Sequence, residues 1–251
     1  MKKKTPVAVE DLGEQLSLGD ENVKILYQYV TRGVGESRIM KFVTEADVDM
    51  NSFSNQEKLE YALQFADADD FSYTGELNEK KQKIYTISNK KIKEYMVLYF
   101  GPDVKYTPEA EITYPFLFYI NKKNEGTLTY NQSSDGYDAI FASEYDFDQH
   151  KNLIEPAYGQ LVSALKQPDG SFILQERVVY TELRTENGGY AIDIYKDPGK
   201  TEKLDTKTGF NEESLKQFKV NFSDYSSTAL VEYTFGLNDR TLYFLRSRII
   251  L

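Results

Sequence analysis

Ser88-Asn89-Lys90-Lys91-Ile92-Lys93-Glu94-Tyr95-Met96-Val97-Leu98-Tyr99-Phe100-Gly101-Pro102 is the stretch on which the fold turns. Ser88 or Asn89 can accept amide hydrogen bonds at a helix start. Ile92, Tyr95, Met96, Tyr99 and Phe100 then fall on one stripe at helical spacing. Gly101-Pro102 ends the pattern, because glycine tolerates a left-handed cap and proline cannot continue a helix. Before Pro102 the hydrophobic rhythm is helical; after it the period drops to two.

Working back from this stretch, Ser54 and Glu57 have capping-box spacing ahead of Leu59, Ala62, Leu63 and Ala66. Asp20 can cap a segment whose Val23, Leu26, Tyr27 and Val30 share a face, with Gly33 as its expected end. Residues 1–19 are polar and are expected to form a flexible tail or linker. Residues 20–103 are expected to form a helical subdomain.

Working forward, Phe116–Ile120 is apolar on both faces and is expected to be a buried strand with Pro115 at its first position. Thr127–Tyr130 and Tyr137–Tyr145 form a hairpin candidate turning at Ser134-Asp135-Gly136. Pro168-Asp169-Gly170 separates Tyr158–Lys166 from Phe172–Leu183, and Asn187-Gly188-Gly189 leads into Tyr190, Ile192 and Ile194, with Asp193 facing the other way. Near the end, Val231, Tyr233 and Phe235 alternate with polar residues. Leu237-Asn238-Asp239 turns the chain into Tyr243, Leu245 and Ile249. Lys196–Asn221 is charged and rich in Gly and Thr, and is expected to be a long loop with one helical turn near Glu212–Phe218. The fold class is therefore α+β: N-terminal helices followed by a mostly antiparallel sheet, a meander of hairpins. Residues 104–251 make the β-rich part, either a separate subdomain or continuous with 20–103.

Composition narrows the function. The 251 residues hold 20 Tyr and 15 Phe but no Trp, and 30 basic against 40 acidic residues, a net charge of −10. Such a balance disfavours nucleic acid, whose affinity comes mostly from Lys and Arg on phosphates. It also disfavours electrostatic adhesion to an anionic membrane. Cysteine is absent, which suits a cytosolic protein or a bacterial surface protein that avoids disulfides. No apolar run approaches the ~18 residues needed to cross a bilayer. Met1-Lys2-Lys3-Lys4 has the character of a basic export-signal start, but Thr5–Glu10 is not a hydrophobic segment.

Candidate chemistry is sparse. His150, the only histidine, sits in a hydrophilic stretch that suits a solvated loop better than a catalytic base. Thiol catalysis is excluded without cysteine, and a zinc site would need carboxylates for nearly all its ligands. Gly199-Lys200-Thr201 resembles the end of a phosphate-binding loop, but the required glycine five positions earlier is Ile194. Gly33-Val34-Gly35 has neither a preceding strand nor a third glycine. Asp67, Asp69 and Asp70, and separately Asp146 and Asp148, are candidates for an opportunistic calcium site. Neither group has the glycine or distant glutamate of an EF-hand loop. These residues indicate no catalytic group and no cofactor. The Tyr-rich faces (Tyr95, Tyr99 and Phe100; Phe116 and Phe118) are expected in the core, with an exposed recognition surface as the alternative.

Several stretches resemble uncharacterised extracytoplasmic proteins of Gram-positive bacteria. They are Asn55–Leu63, Tyr99–Tyr106, Val23–Tyr29 with its Leu26-Tyr27-Gln28-Tyr29, Glu232-Tyr233-Thr234-Phe235 and Leu242-Tyr243-Phe244. The resemblance spans roughly residues 23–250 and implies an N-terminal membrane anchor that these residues do not contain. It implies topology and location, and no activity or site residues. The resulting expectation is a non-enzymatic extracytoplasmic binding domain for a protein or cell-envelope ligand. It would touch no nucleic acid, and would meet the membrane only through an anchor absent from this chain. The alternatives are a carboxylate-based hydrolase of cell-wall glycans, which would need two carboxyls roughly 5 to 9 Å apart in a cleft, and a cytosolic interaction or structural protein.

Overall fold

The computed structural model describes residues 13–32, 37–63, 66, 68–115, 125–140, 154–238 and 241–250. The first part of the chain runs β1 (Glu14–Gln15), α1 (Glu21–Gln28), β2 (Thr31–Arg32), β3 (Ser37–Arg38), α2 (Met40–Thr44), β4 (Asp47–Asp49) and α3 (Asn55–Leu63). β5 (Ser72–Leu77), β6 (Lys83–Ser88) and α4 (Asn89–Phe100) lead to Pro102. Beyond it come β7 (Glu111–Pro115), β8 (Glu125–Asn131), β9 (Gly136–Ile140), β10 (Ala157–Lys166) and β11 (Phe172–Glu186). β12 (Gly189–Tyr195), β13 (Lys203–Phe210), α5 (Glu212–Lys216), β14 (Ala229–Asn238) and β15 (Thr241–Ile250) complete the order.

Helix ends follow local chemistry. The Asp20 carboxylate accepts the Asn22 amide at 2.8 Å. Ser54 and Glu57 exchange two bonds, Glu57 N–H to Ser54 Oγ at 3.2 Å and Ser54 N–H to Glu57 Oε2 at 2.9 Å. Ser88 Oγ accepts the Lys91 amide, and Gly101, at φ +87°, returns its N–H to the Val97 carbonyl at 2.9 Å. α1 stops at Gln28 instead of continuing to Gly33, which lies outside the described residues. There the Thr31 hydroxyl donates to the Tyr27 carbonyl at 2.8 Å, satisfying a helix-end acceptor while Thr31 enters a strand.

The sheets are antiparallel throughout. The larger has the order β1-β10-β11-β14-β15-β4, with β12 and β13 added along the far half of β11. The smaller, five-stranded one runs β5-β6-β9-β8-β7, and β2 and β3 pair with each other as a two-stranded ribbon. α4 packs against β15 of the large sheet and against β6 and β9 of the small one, and α3 packs on α4 and β7. Consequently one apolar core crosses Pro102: Leu26, Phe42, Leu59, Met96 and Tyr99 share it with Leu128, Tyr137, Leu174, Tyr233, Phe235 and Phe244. Its rings meet mostly edge-on or tilted, Phe42–Phe244 at 4.8 Å and Tyr29–Tyr99 at 5.0 Å between centroids. On the other face of the large sheet, Val179, Ile192 and Ile194 are covered by Leu215, Phe222 and Tyr225.

Several expectations change. Helices do not simply precede strands: β1 to β6 all lie before Pro102. The β6 sequence Lys-Ile-Tyr-Thr-Ile-Ser has neighbouring apolar residues that blur its alternation. Lys196–Asn221 is not one loop, because Lys203–Phe210 pairs with β12, Ile194 opposite Asp205 and Ile192 opposite Lys207. A half-exposed edge strand is held by backbone bonds and tolerates the Asp, Lys and Thr that disguised it. Within residues 1–19, Glu14 and Gln15 pair with Lys166 and Leu165, so this part of the presumed tail belongs to the sheet.

The hairpin turns follow the sequence closely. Asn187 and Gly188 both have positive φ, 50° and 79°, and close the two-residue loop between Glu186 and Gly189. Gly170 N–H bonds Gln167 O at 2.9 Å. β8 and β9 pair with Leu128 opposite Ala139. Pro115 is the last described residue of β7; Phe116–Ile120 lies outside the described residues. In β15 the register slips between Thr234 and Phe235 of its partner, which leaves Leu245 as an extra residue. This bulge puts Phe244 in the core, where Tyr243 and Leu245 were expected, and Ser247 beyond it.

Candidate functional site

The end of α4 that decides the fold also borders a concavity. A cavity of about 440 Å³ lies between the Phe100–Lys105 turn, the Lys58 side of α3, the Met50–Asn51 turn and residues Tyr243–Leu245 of β15. Close packing shapes its wall. A Cβ on Gly101 would stand 3.4 Å from the Tyr243 ring, and one on Gly236 would stand 2.8 Å from Tyr243 Cζ. Glycine at 236 makes room for the phenol, while at Gly101 the contact would be an ordinary one and the positive φ is what requires glycine. Phe100 is wedged behind, 6.3 Å from Phe53 and 5.5 Å from Tyr61 between ring centroids.

Polar groups ring this apolar floor: Asn51, Lys58, Asp103 and Lys105. Several other cations of the molecule are matched internally. Lys41 sits 3.2 Å from both Glu45 and Glu57, Lys196 is 3.3 Å from Glu202, and Arg246 and Arg248 meet Asp47 and Glu232. Among the described residues, Lys58 and Lys105 have no carboxylate within ion-pair distance. The cavity is therefore positive and half apolar in a chain of net charge −10, which suits an anionic ligand with apolar portions.

A second polar centre lies on the far half of the large sheet. Asp193 is 4% exposed. Arg184 Nε donates to it at 3.2 Å, Lys203 Nζ at 2.8 Å and the Thr206 hydroxyl at 2.6 Å. Burial pushes its carboxyl up, but the bonds from Lys203 and Thr206 and the charges of Arg184 and Lys203 outweigh this and hold it below the usual carboxylate range. Deeper still, Glu176 is fully buried in β11 and accepts the Tyr27 and Tyr233 hydroxyls, the latter at 2.7 Å.

Of the carboxylates singled out in the sequence, the described ones, Asp69 and Asp70, lie at neither place. Asp69 and Asp70 lie in a helical turn; Asp70 accepts the Tyr95 hydroxyl and pairs with Lys91 at 3.0 Å, so protein donors already occupy its carboxylate. Asp67, Asp146, Asp148 and His150 lie outside the described residues. Among the described residues no group of three or more His, Asp or Glu is arranged to hold a metal. Gly199-Lys200-Thr201 is a turn whose amides serve its own chain: Asp197 accepts the Thr201 and Glu202 N–H groups at 3.0 and 2.7 Å. That carboxylate sits where a phosphate would have to bind. Tyr99 is buried and Tyr95 half-buried, stacked at 6.2 Å.

The cavity residues Asn51, Lys58, Lys105 and Tyr243 carry no sequence signal as a group. The nearest hint was the Gly101-Pro102 stop with a lysine three residues beyond. No helix among the described residues is long and apolar enough to cross a membrane. Comparison with protein-family models, with curated proteins and with solved structures gave no match.

Proposed function

We propose that this chain is a non-enzymatic binding domain, carried outside the cell membrane by an anchor, which engages a cell-envelope ligand through the cavity at the end of α4. The observation that carries this is that two cations without a carboxylate at ion-pair distance among the described residues, Lys58 and Lys105, line the same cavity as Phe100 and Tyr243. The resemblance described above adds support, because three of its stretches, Asn55–Leu63, Tyr99–Tyr106 and Leu242-Tyr243-Phe244, supply this lining. The basic start and the lack of cysteine favour the location. A glycan hydrolase would need two carboxyls facing across the cleft; among the described residues the lining holds one carboxylate, Asp103.

Co-sedimentation with isolated cell envelopes tests the binding. The Lys58→Glu, Lys105→Glu double variant should bind at least about tenfold more weakly than the parent chain, since each reversal replaces attraction by repulsion. Equal sedimentation of the two proteins would overturn the assignment of the cavity. Fractionation of cells expressing the full-length protein tests the location, and recovery in the cytosol would overturn it.

A further inference from the structure

Resting on that reading, the structure also points to the class of ligand: we propose that the cavity takes an extended, acidic polypeptide segment, added as a strand to the open edge of β15. β4 pairs with β15 only at Asp49–Arg246, Val48–Ser247 and Asp47–Arg248. The chain then leaves the sheet in the turn Met50–Ser52. From Leu242 to Leu245, β15 pairs with β14 on one side, Leu242 opposite Leu237 and Phe244 opposite Phe235. Among the described residues no strand lies on the other side. The cavity occupies this position, bounded by Met50 and Asn51 where β4 would have continued and by Tyr243, Phe244 and Leu245.

Backbone N–H and C=O groups along an unpaired edge demand partners, and an extended chain supplies them in register. Four residues of edge correspond to about 13 Å of strand at 3.4 Å per residue, so a short segment fills the site. Side chains of an added strand alternate in direction. One set would meet the apolar wall of Phe100, Pro102 and Val104. Lys58 and Lys105 favour carboxylates nearby and disfavour a basic segment. The bulge at Leu245 falls where β4 pairing ends, and such re-aiming of a strand is common beside binding sites.

The test uses the whole chain, isotope-labelled, and an acetylated, amidated heptapeptide of alternating valine and glutamate. Saturable amide shifts are expected at Leu242–Leu245. Binding should weaken at least about tenfold with the valine–lysine counterpart, with the same acidic peptide N-methylated at alternate amides, and in the Lys58→Glu, Lys105→Glu variant. The spectrum of that variant also reports whether it is folded. Equal binding of the N-methylated peptide would overturn strand addition, and equal or tighter binding of the lysine peptide would overturn the acidic preference. If no peptide moves these amides while the double variant still loses envelope binding, the ligand is not a polypeptide and only this inference falls. If envelope binding is also unaffected, the cavity assignment falls with it.

Discussion

On the far half of the large sheet, Asp193 is nearly buried and Arg184, Lys203 and Thr206 close on it within 3.2 Å. At the cavity, Lys58 and Lys105 share a lining with Phe100, Tyr243 and Asp103, and neither lysine has a carboxylate within ion-pair distance among the described residues. The two regions have similar side-chain chemistry and opposite accounting. Around Asp193 the cations are committed within the chain, and their effect is read in stability. At the cavity they are uncommitted, and their effect should be read in binding. A cation already matched inside the protein has little left to offer a partner.

The contrast can be broken by removing groups from each region in turn. The largest loss is expected deepest, at Glu176, where the carboxyl accepts two tyrosine hydroxyls in a fully buried position. Glu176→Ala removes that acceptor from Tyr27 and Tyr233 and should cost about 3 kcal/mol in urea unfolding. A loss below about 1 kcal/mol would mean that this cluster adds little to the fold. Next comes Asp193→Ala, expected to cost about 1–2 kcal/mol because the cations it releases are partly exposed and can rehydrate.

Acidity sharpens the same point. The folded Asp193 carboxyl titrates below its usual value, so its stabilisation is complete above the unfolded value of about 3.9. It is lost as pH falls from there through the folded value. The stability gap between the parent chain and Asp193→Asn should therefore be constant near pH 6 and shrink below about pH 4, measured by unfolding at each pH. A gap that widens on acidification would reverse the assigned direction. The smallest effect is expected at the cavity: Lys58→Glu with Lys105→Glu should change stability by less than about 0.5 kcal/mol. A larger loss would show that these lysines hold the fold, and the contrast would disappear.

Legibility in the sequence followed the range of the interactions. The caps at Asp20, Ser54 with Glu57, and Ser88 depend on atoms within three residues, and each formed where its spacing said it would. The Asn187-Gly188 turn is equally local, since only its own backbone must take positive φ. β13 was missed because an edge strand needs no apolar side chains when a neighbour supplies the hydrogen bonds. The Leu245 bulge was missed because it exists only relative to β14. Of the candidate site, the Gly101-Pro102 stop was legible, while Asn51, Lys58 and Tyr243 arrive from separate elements and share no spacing.

By itself the sequence determined the helix caps, the tight turns and the change of hydrophobic period at Pro102, because these rest on the conformational preferences of neighbouring residues. Tertiary structure alone decided that β4 ends at Asp49, that the β15 edge beyond it meets no further strand among the described residues, and that Asp193 and Glu176 find their donors. Those outcomes depend on pairings between residues far apart in the chain, and no local preference encodes which distant groups will meet.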